Sequence, residues 1–337
     1  MEELYNWLTL KAVKGLGEVS IKRLWLRFGS AKAILCADPS ELRSIIGIQR
    51  TRALLRRSLS FDPERVIKVV EREGIGWLTP EGELYPSAFR ELEDPPTVLF
   101  YRGELKAVPM IGVVGTRRPE LQSLSFIKAL AREAVSRGYG VCSGGAPGCD
   151  YQSHVECLLA GGYTVCLLGM GLLKAPPYLQ KLVGERGLLM SEFLPETRAE
   201  EYTFTKRNRL ISGLSEALVV VEAGEKSGAL ITARHATRQR KPLWVYIGNS
   251  SSQRWLGCVK LVNEQGAKVL HSPSALFGEA PTPAGSREPI LALLSTPKTF
   301  DQLLELLGAD PSELNLKLLQ LEMEGKIARQ GYYYVTL

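Results

Sequence analysis

Long apolar runs are missing from this 337-residue chain. The longest, Val108–Gly115 and Thr164–Leu173, fall well short of the ~18 residues a membrane-spanning helix needs, and glycines interrupt both. No membrane span is expected. The first seven residues, Met1 to Trp7, carry acid where a signal peptide would carry Lys or Arg, so the cytoplasm is the expected compartment. Six cysteines form no CxxC pair and no dense framework, which excludes a disulfide scaffold and fits reduced thiols packed as small hydrophobes. Histidine is scarce, limited to His154, His235 and His271, and no G-x-S-x-G or H-E-x-x-H signature is present. Asp150, His154 and Cys157 share a helix face but read better as a helix cap, a helix-face hydrogen bond and a buried thiol than as metal ligands. No metal and no catalytic residue is expected. The dinucleotide fingerprint also fails, because Gly144-Gly145-x-x-Gly148 has the wrong spacing and Gly169-x-Gly171 lacks a third glycine. Gly224-Glu225-Lys226-Ser227 is a P-loop only superficially, since no glycine stands upstream at the required interval. No cofactor is expected.

What is present is an ordinary globular composition, 45% hydrophobic and 23% charged, at a length that suggests two or three domains. A net charge of +6 admits a nucleic-acid partner without demanding one. Residues 1–75 read as a small helical bundle, with stripes Leu8, Ala12, Leu16 and Ile21, Leu24, Trp25, Phe28. This segment carries 14 Lys/Arg against 9 Asp/Glu. Lys14-Gly15-Leu16-Gly17 has the look of a helix-hairpin-helix turn, with a weaker second copy at Ile46-Gly47-Ile48, although a glycine C-cap followed by a new helix accounts for the same residues.

From Val108 to Leu270, short β-branched runs ending in glycine alternate with amphipathic segments. Strands are expected at Met110–Val114, Tyr139–Cys142, Thr164–Leu168, Leu188–Ser191, Ala217–Val221, Leu243–Ile247 and Ala267–Leu270. That alternation predicts an α/β domain of Rossmann-like, doubly wound, mostly parallel type spanning 76–272, with ligands at the carboxyl edge of the sheet. Residues 273–286, rich in Pro, Ser and Gly, read as a linker. Residues 287–337 then read as three helices and a hairpin, the order of a winged helix. Its third helix, Pro311–Glu324, sets Lys317 against Glu313, Glu322 and Glu324, so protein contact or a spacer role fits it better than DNA readout.

Chemistry concentrates in the turns after the strands. Val114 to Pro119 contributes Arg117 and Arg118; Ser143-Gly144-Gly145 opens a glycine-rich turn; Phe204 to Arg209 adds Lys206, Arg207, Asn208 and Arg209; and Glu222 to Gly228 adds Lys226, Ser227 and Gly228. Glycines let backbone approach an oxyanion, and cations complete the neutralisation, so these parts suit phosphate. A helix is expected to begin near Asn208, and Arg209 is placed either to meet phosphate or to pair with Glu222.

In order, Val113-Val114-Gly115-Thr116-Arg117, Ser143-Gly144-Gly145-Ala146-x-Gly148-x-Asp150-x-x-x-His154, Ser191-Glu192, Arg207-Asn208-Arg209-Leu210-Ile211-Ser212-Gly213-Leu214, Val219-Val220-Val221-Glu222-Ala223 and Ser227-Gly228-Ala229-Leu230-Ile231-Thr232-Ala233 resemble the bacterial DNA-processing protein family, DprA or Smf. The flanks resemble the family's N-terminal SAM-like helical domain and its winged helix. The resemblance implies a dimeric, non-catalytic protein that binds single-stranded DNA, interacts with the RecA recombinase and helps to load it during natural transformation. By position it implies a DNA pocket of Arg117, Arg118, Ser143, Gly144, Gly145, Phe204, Lys206, Arg207, Asn208, Arg209, Ser227 and Gly228, and a dimer surface at roughly 241–262. Thr205, Cys149 and Asn249 depart from the family's usual Phe-Pro, Gly-Ile-Asp and Pro-Gly pairs. A second reading is a nucleotide-processing enzyme similar to the cytokinin-activating phosphoribohydrolases, whose Gly-Gly-x-Gly-Thr-x-x-Glu loop would fall at Gly224–Ile231, where the Glu is missing. A third is an adaptor that recruits recombinase and touches DNA only incidentally.

Overall fold

The computed structural model describes residues 1–183, 186–248, 251–278, 289–294, 296–308, 310–323, 326–330 and 332–336. Most of the segment expected as a linker, and Asn249, lie outside the described residues. The chain divides into two compact units, Met1–Pro273 and Ser274–Leu337.

The first unit opens with helices α1 (Glu2–Ala12), α2 (Glu18–Phe28), α3 (Ala31–Leu35), α4 (Pro39–Leu55) and α5 (Pro63–Arg72). Asp38 and Asp62 cap α4 and α5, each accepting from a backbone N–H two residues on, with proline at the first helical position. Gly47 interrupts α4 with φ 79° and ψ 167°, so the expected second hairpin is a real break in the helix. Strands β1 (Gly76–Leu78) and β2 (Leu99–Gly103) follow, with α6 (Ser87–Glu91) between them.

Then come β3 (Met110–Gly115), α7 (Leu121–Ser136), β4 (Gly140–Ser143), α8 (Cys149–Leu159), β5 (Thr164–Leu167), α9 (Pro177–Gln180), β6 (Gly187–Ser191), α10 (Glu201–Leu214), β7 (Ala217–Val221), α11 (Ala229–Arg238), β8 (Leu243–Tyr246), α12 (Leu256–Gln265) and β9 (Lys268–Val269). The nine strands form one sheet in the order β1-β2-β6-β5-β4-β3-β7-β8-β9. Seven pair in parallel; β2 joins β6, and β1 joins β2, antiparallel. All seven expected strands are present, and β1 and β2 are two that the strand-helix alternation does not reveal.

Period-2 alternation distributes the core. In β5, Val165 and Leu167 enter one apolar cluster with Leu210, Ile211 and Leu230, whereas Cys166 and Leu168 enter another with Leu4, Leu8, Leu24 and Leu42 of the N-terminal helices. The helical segment therefore packs on the sheet through a shared core. β3 and β7, in register at Val113↔Val219, are the central pair, and the chain winds outward from them in opposite directions. Open α/β sheets form a crevice at the carboxyl ends of such a pair.

The second unit holds α13 (Pro289–Leu293), β10 (Lys298–Thr299), α14 (Phe300–Leu307), α15 (Pro311–Met323), β11 (Ile327–Gln330) and β12 (Tyr333–Thr336). The strands form a small antiparallel sheet in the order β10-β12-β11, the winged-helix arrangement. Leu303, Leu314, Leu318, Leu321 and Ile327 form its core.

Candidate nucleic-acid interface

A cleft of about 900 Å³ opens where β3 and β7 end. Its walls are the turn Val114 to Arg117, the start of α8 at Asp150, the outer face of α10, and the turn Gly224 to Gly228 leading into α11. Gly148 makes the first wall possible, because a Cβ there would collide with the Thr116 carbonyl oxygen and sit 2.7 Å from the Arg117 Cα.

Glu222 holds the two turns together. It adopts φ 54°, unusual for a non-glycine residue, and the cost is offset by four contacts. Its carbonyl accepts from Thr116 N–H at 2.9 Å. Its carboxylate accepts from Glu120 N–H at 2.8 Å, the Ser123 hydroxyl at 2.6 Å and Arg254 Nε at 2.8 Å. The alternative pairing of Arg209 with Glu222 is thus corrected: Arg254 holds that carboxylate.

α10 begins at Glu201, so Phe204 to Arg209 is helix and not a strand-end loop. The reason is local. Glu200 caps the helix while its own N–H donates to Thr203 Oγ1 at 3.0 Å, a reciprocal box that starts the helix seven residues before Asn208. Its cations then point inward. Arg207 is 4% exposed and donates through Nη1 to the Gly144 carbonyl at 2.8 Å and to the Leu167 carbonyl, with its guanidinium 5.9 Å from the Phe204 ring centroid. Arg209, also 4% exposed, forks onto Glu192 at 2.8 Å from each of its terminal nitrogens and reaches Asp94 at 2.7 Å. Burial alone would lower the Arg209 guanidinium, but Glu192 and Asp94 outweigh it and raise it. Lys206 donates to Glu18 of α2 at 2.6 Å and lies 3.7 Å from Glu192. Burial alone would raise the Glu18 carboxyl, but Lys11 and Lys206 hold it at about 2.

The glycine-rich turn is also turned inward. Ser143, Gly144 and Gly145 are buried; Ser143 donates to the Val113 carbonyl, and a Cβ on Gly144 would lie 2.6 Å from an Arg207 nitrogen. The backbone N–H groups of Gly115 and Gly144 face the Asp150 carboxyl group, which is 7% exposed. Burial pushes that carboxyl upward against the opposing influence of Arg207.

Two cations remain outward. Arg117 and Lys226 line the cleft, are exposed, and have no acidic partner among the described residues. Half-buried Phe204 and Asn208 lie on the α10 wall, with Ser227 and Gly228 on the α11 side. Glu200 and Glu201 occupy the rim near the start of α10. Of the residues singled out by sequence, the structure brings Arg117, Phe204, Arg207, Asn208, Ser227 and Gly228 to the cleft. Arg118 is exposed on the same turn but outside the lining, while Ser143, Gly144, Gly145, Lys206 and Arg209 form the supporting layer. Thr116 and Thr232 also line the cleft, and Lys226 joins them, a residue the sequence placed in the turn after the strand that neighbours β3 but the family resemblance left out of the pocket.

Cys149, at one of the departures, is fully buried and its thiol donates to the Val221 carbonyl at 3.4 Å. His154 is fully buried, with Nδ1 2.6 Å from the Thr164 hydroxyl, and burial pushes it down to about 3. No helix among the described residues is long and apolar enough to cross a membrane.

The family model described as DNA recombination-mediator protein A matches residues 76–281, and the DprA winged helix domain matches residues 277–331. The DNA processing protein DprA of Bacillus subtilis (strain 168) is 33% identical over 261 residues, covering 73% of this chain and 88% of that protein. The X-ray structure of DNA processing protein A from Streptococcus pneumoniae superposes with a TM-score of 0.71 at 27% identity, covering 81% of this chain and 97% of that one. A Helicobacter pylori DNA processing protein A, whose structure was described for its single-stranded DNA binding mode, superposes with a TM-score of 0.54 at 28% identity, covering 60% and 94%.

Proposed function

The chain belongs to the DNA recombination-mediator protein A (DprA) family, and on that premise we propose that it binds single-stranded DNA in the cleft between the ends of β3 and β7. The observation that carries this reading is a pair of outward cations, Arg117 and Lys226, sharing one open cleft with a half-buried aromatic ring, Phe204. Phosphates would track the cations and a base would stack on the free face of Phe204, which gives binding tolerant of sequence. The likeness to the Helicobacter pylori protein supports the choice of single-stranded DNA. Arg207, Lys206, Arg209 and the Ser143-Gly144-Gly145 turn act by shaping the wall. The buried Asp150 carboxyl group beside the Gly115 and Gly144 amides weighs against a nucleotide-processing enzyme, and the role proposed is non-catalytic: protection of incoming DNA and loading of the RecA recombinase in the cytoplasm during natural transformation. A homodimer through the region 241–262 completes the reading.

Fluorescence anisotropy of a labelled oligothymidylate, titrated at several salt concentrations, tests it. Replacing Arg117 and Lys226 together by Ala should weaken binding at least tenfold and reduce the log–log salt slope by about 1.4, at roughly 0.7 per phosphate contact on a single strand. Unchanged affinity and slope would overturn the site.

A further inference from the structure

The N-terminal helices carry a second cationic face that the cleft does not explain. Residues 42–61 contain five arginines, Arg43, Arg50, Arg52, Arg56 and Arg57, and no acid. All five are exposed, as is Lys14, and none has an ion-pair partner among the described residues. Gly47 breaks the helix between Arg43 and Arg50, and Arg52 and Arg56, one turn apart, project to a different side from Arg50, so the charge wraps around this helix over more than a single ion spans.

This face has a built groove. The turn Lys14-Gly15 and the break Ile46-Gly47-Ile48-Gln49-Arg50 line one cavity of about 520 Å³. Arg50 Nε donates to the Gly15 carbonyl at 3.1 Å, which clips one turn to the other. Lys14 N–H donates to Ser58 and Ser60 N–H to Ala12, so the first turn is fixed from behind. Gly15 and Gly47 sit at φ 77° and 79°, and an added Cβ on either would meet nothing within 4 Å, so bare backbone faces the groove. The backbone N–H groups of Gly15 and Gly17 have no acceptor among the described residues. Free N–H donors beside forked guanidinium groups suit the paired oxygens of phosphodiesters, and the number of unpaired arginines suits a polyanion.

An ion pair ties the turn beside this groove to the cleft wall. Gly17 precedes Glu18, which is ion-paired to Lys206, and Lys206 lies between Thr205 and Arg207 of the cleft wall. We propose that a single DNA strand leaving the cleft continues over α10 onto this face, its phosphates held by Lys14, Arg50, Arg52 and Arg56. The proposal rests on the cleft reading above and adds a length dependence to it.

The test uses the full chain with oligothymidylates of about 6 and about 20 nucleotides, one within and one beyond the span of a single groove. The wild type should bind the longer strand at least tenfold more tightly than the length ratio accounts for. Arg52→Glu with Arg56→Glu should remove that gain, lower the salt slope for the long strand by about 1.4, and leave the short strand unchanged. Lys14→Ala, a milder change at an exposed side chain, should give a smaller loss in the same direction, and unaltered thermal melts should accompany both. No gain from short to long strand in the wild type overturns the inference, as does equal loss on both lengths, or a loss seen only with a duplex or matched by polyglutamate competition. If the wild type fails to bind the short strand at all, the cleft reading fails instead, whatever the long strand does.

Discussion

Two groups of cations stand on the same edge of the sheet and are spent in opposite ways. On α10, Lys206, Arg207 and Arg209 are tied to Glu18, to backbone carbonyls, and to Glu192 with Asp94. On the turns after β3 and β7, Arg117 and Lys226 have no such ties. A rigid regular element is where a guanidinium can be buried with its partners in place, whereas a turn keeps its cations in water and available. Basic residues in one short motif can thus be scaffold, and isolated ones the cations left open to solvent.

The comparison breaks most easily at Arg209. Arg209→Ala leaves Glu192 buried without its fork, and should cost about 3–5 kcal/mol in denaturant unfolding of the larger unit; a loss no greater than that of a surface change would place Arg209 with the free cations. Next is the α2–α10 tie. Glu18 is held at about 2 against an ordinary value of 4.5, so its contribution is complete above 4.5 and is lost as pH falls from there toward 2. The loss should be on the order of 2 kcal/mol, at about 1.4 kcal/mol per pH unit reduced for the partial exposure of the pair. Glu18→Gln should flatten stability across that acid range, and an unchanged slope would remove Glu18 from the network. Phe204→Ala sharpens the other side: it should weaken single-strand binding by about 1–2 kcal/mol while leaving the salt slope unchanged, because stacking releases no counterions. A fall in slope would mean that the ring acts by holding Arg207.

Much of the fold was legible because burial on both faces writes itself as continuous runs, such as Ala217 to Val221 and Met110 to Gly115. β1 and β2 escaped because they join the sheet antiparallel, with no crossover helix to announce them, inside a stretch broken by prolines. The winged helix was readable from its order, including a Thr299 capping box. Of the site, the turns were legible and the directions of side chains were not. Nothing in Lys206-Arg207-Asn208-Arg209 says that the helix begins at Glu201, and that offset decides which cations face the cleft. Arg209 found its partners 17 and 115 residues away in sequence, in segments whose proximity only the folded chain supplies.

The Asp150 carboxyl group, lodged against the Gly115 and Gly144 amides, has a consequence for competition inside a crowded solution of metabolites. Free nucleotides and inorganic phosphate bind well where one pre-formed seat supplies most of the affinity, and here the buried Asp150 carboxyl group stands beside the amides such a seat would use. Each remaining contact is weak when met singly, and only a ligand carrying many linked charges can engage several at once and gain from their high effective concentration. On the reading proposed above, such a surface should discriminate by chain length, answering to polymer over monomer.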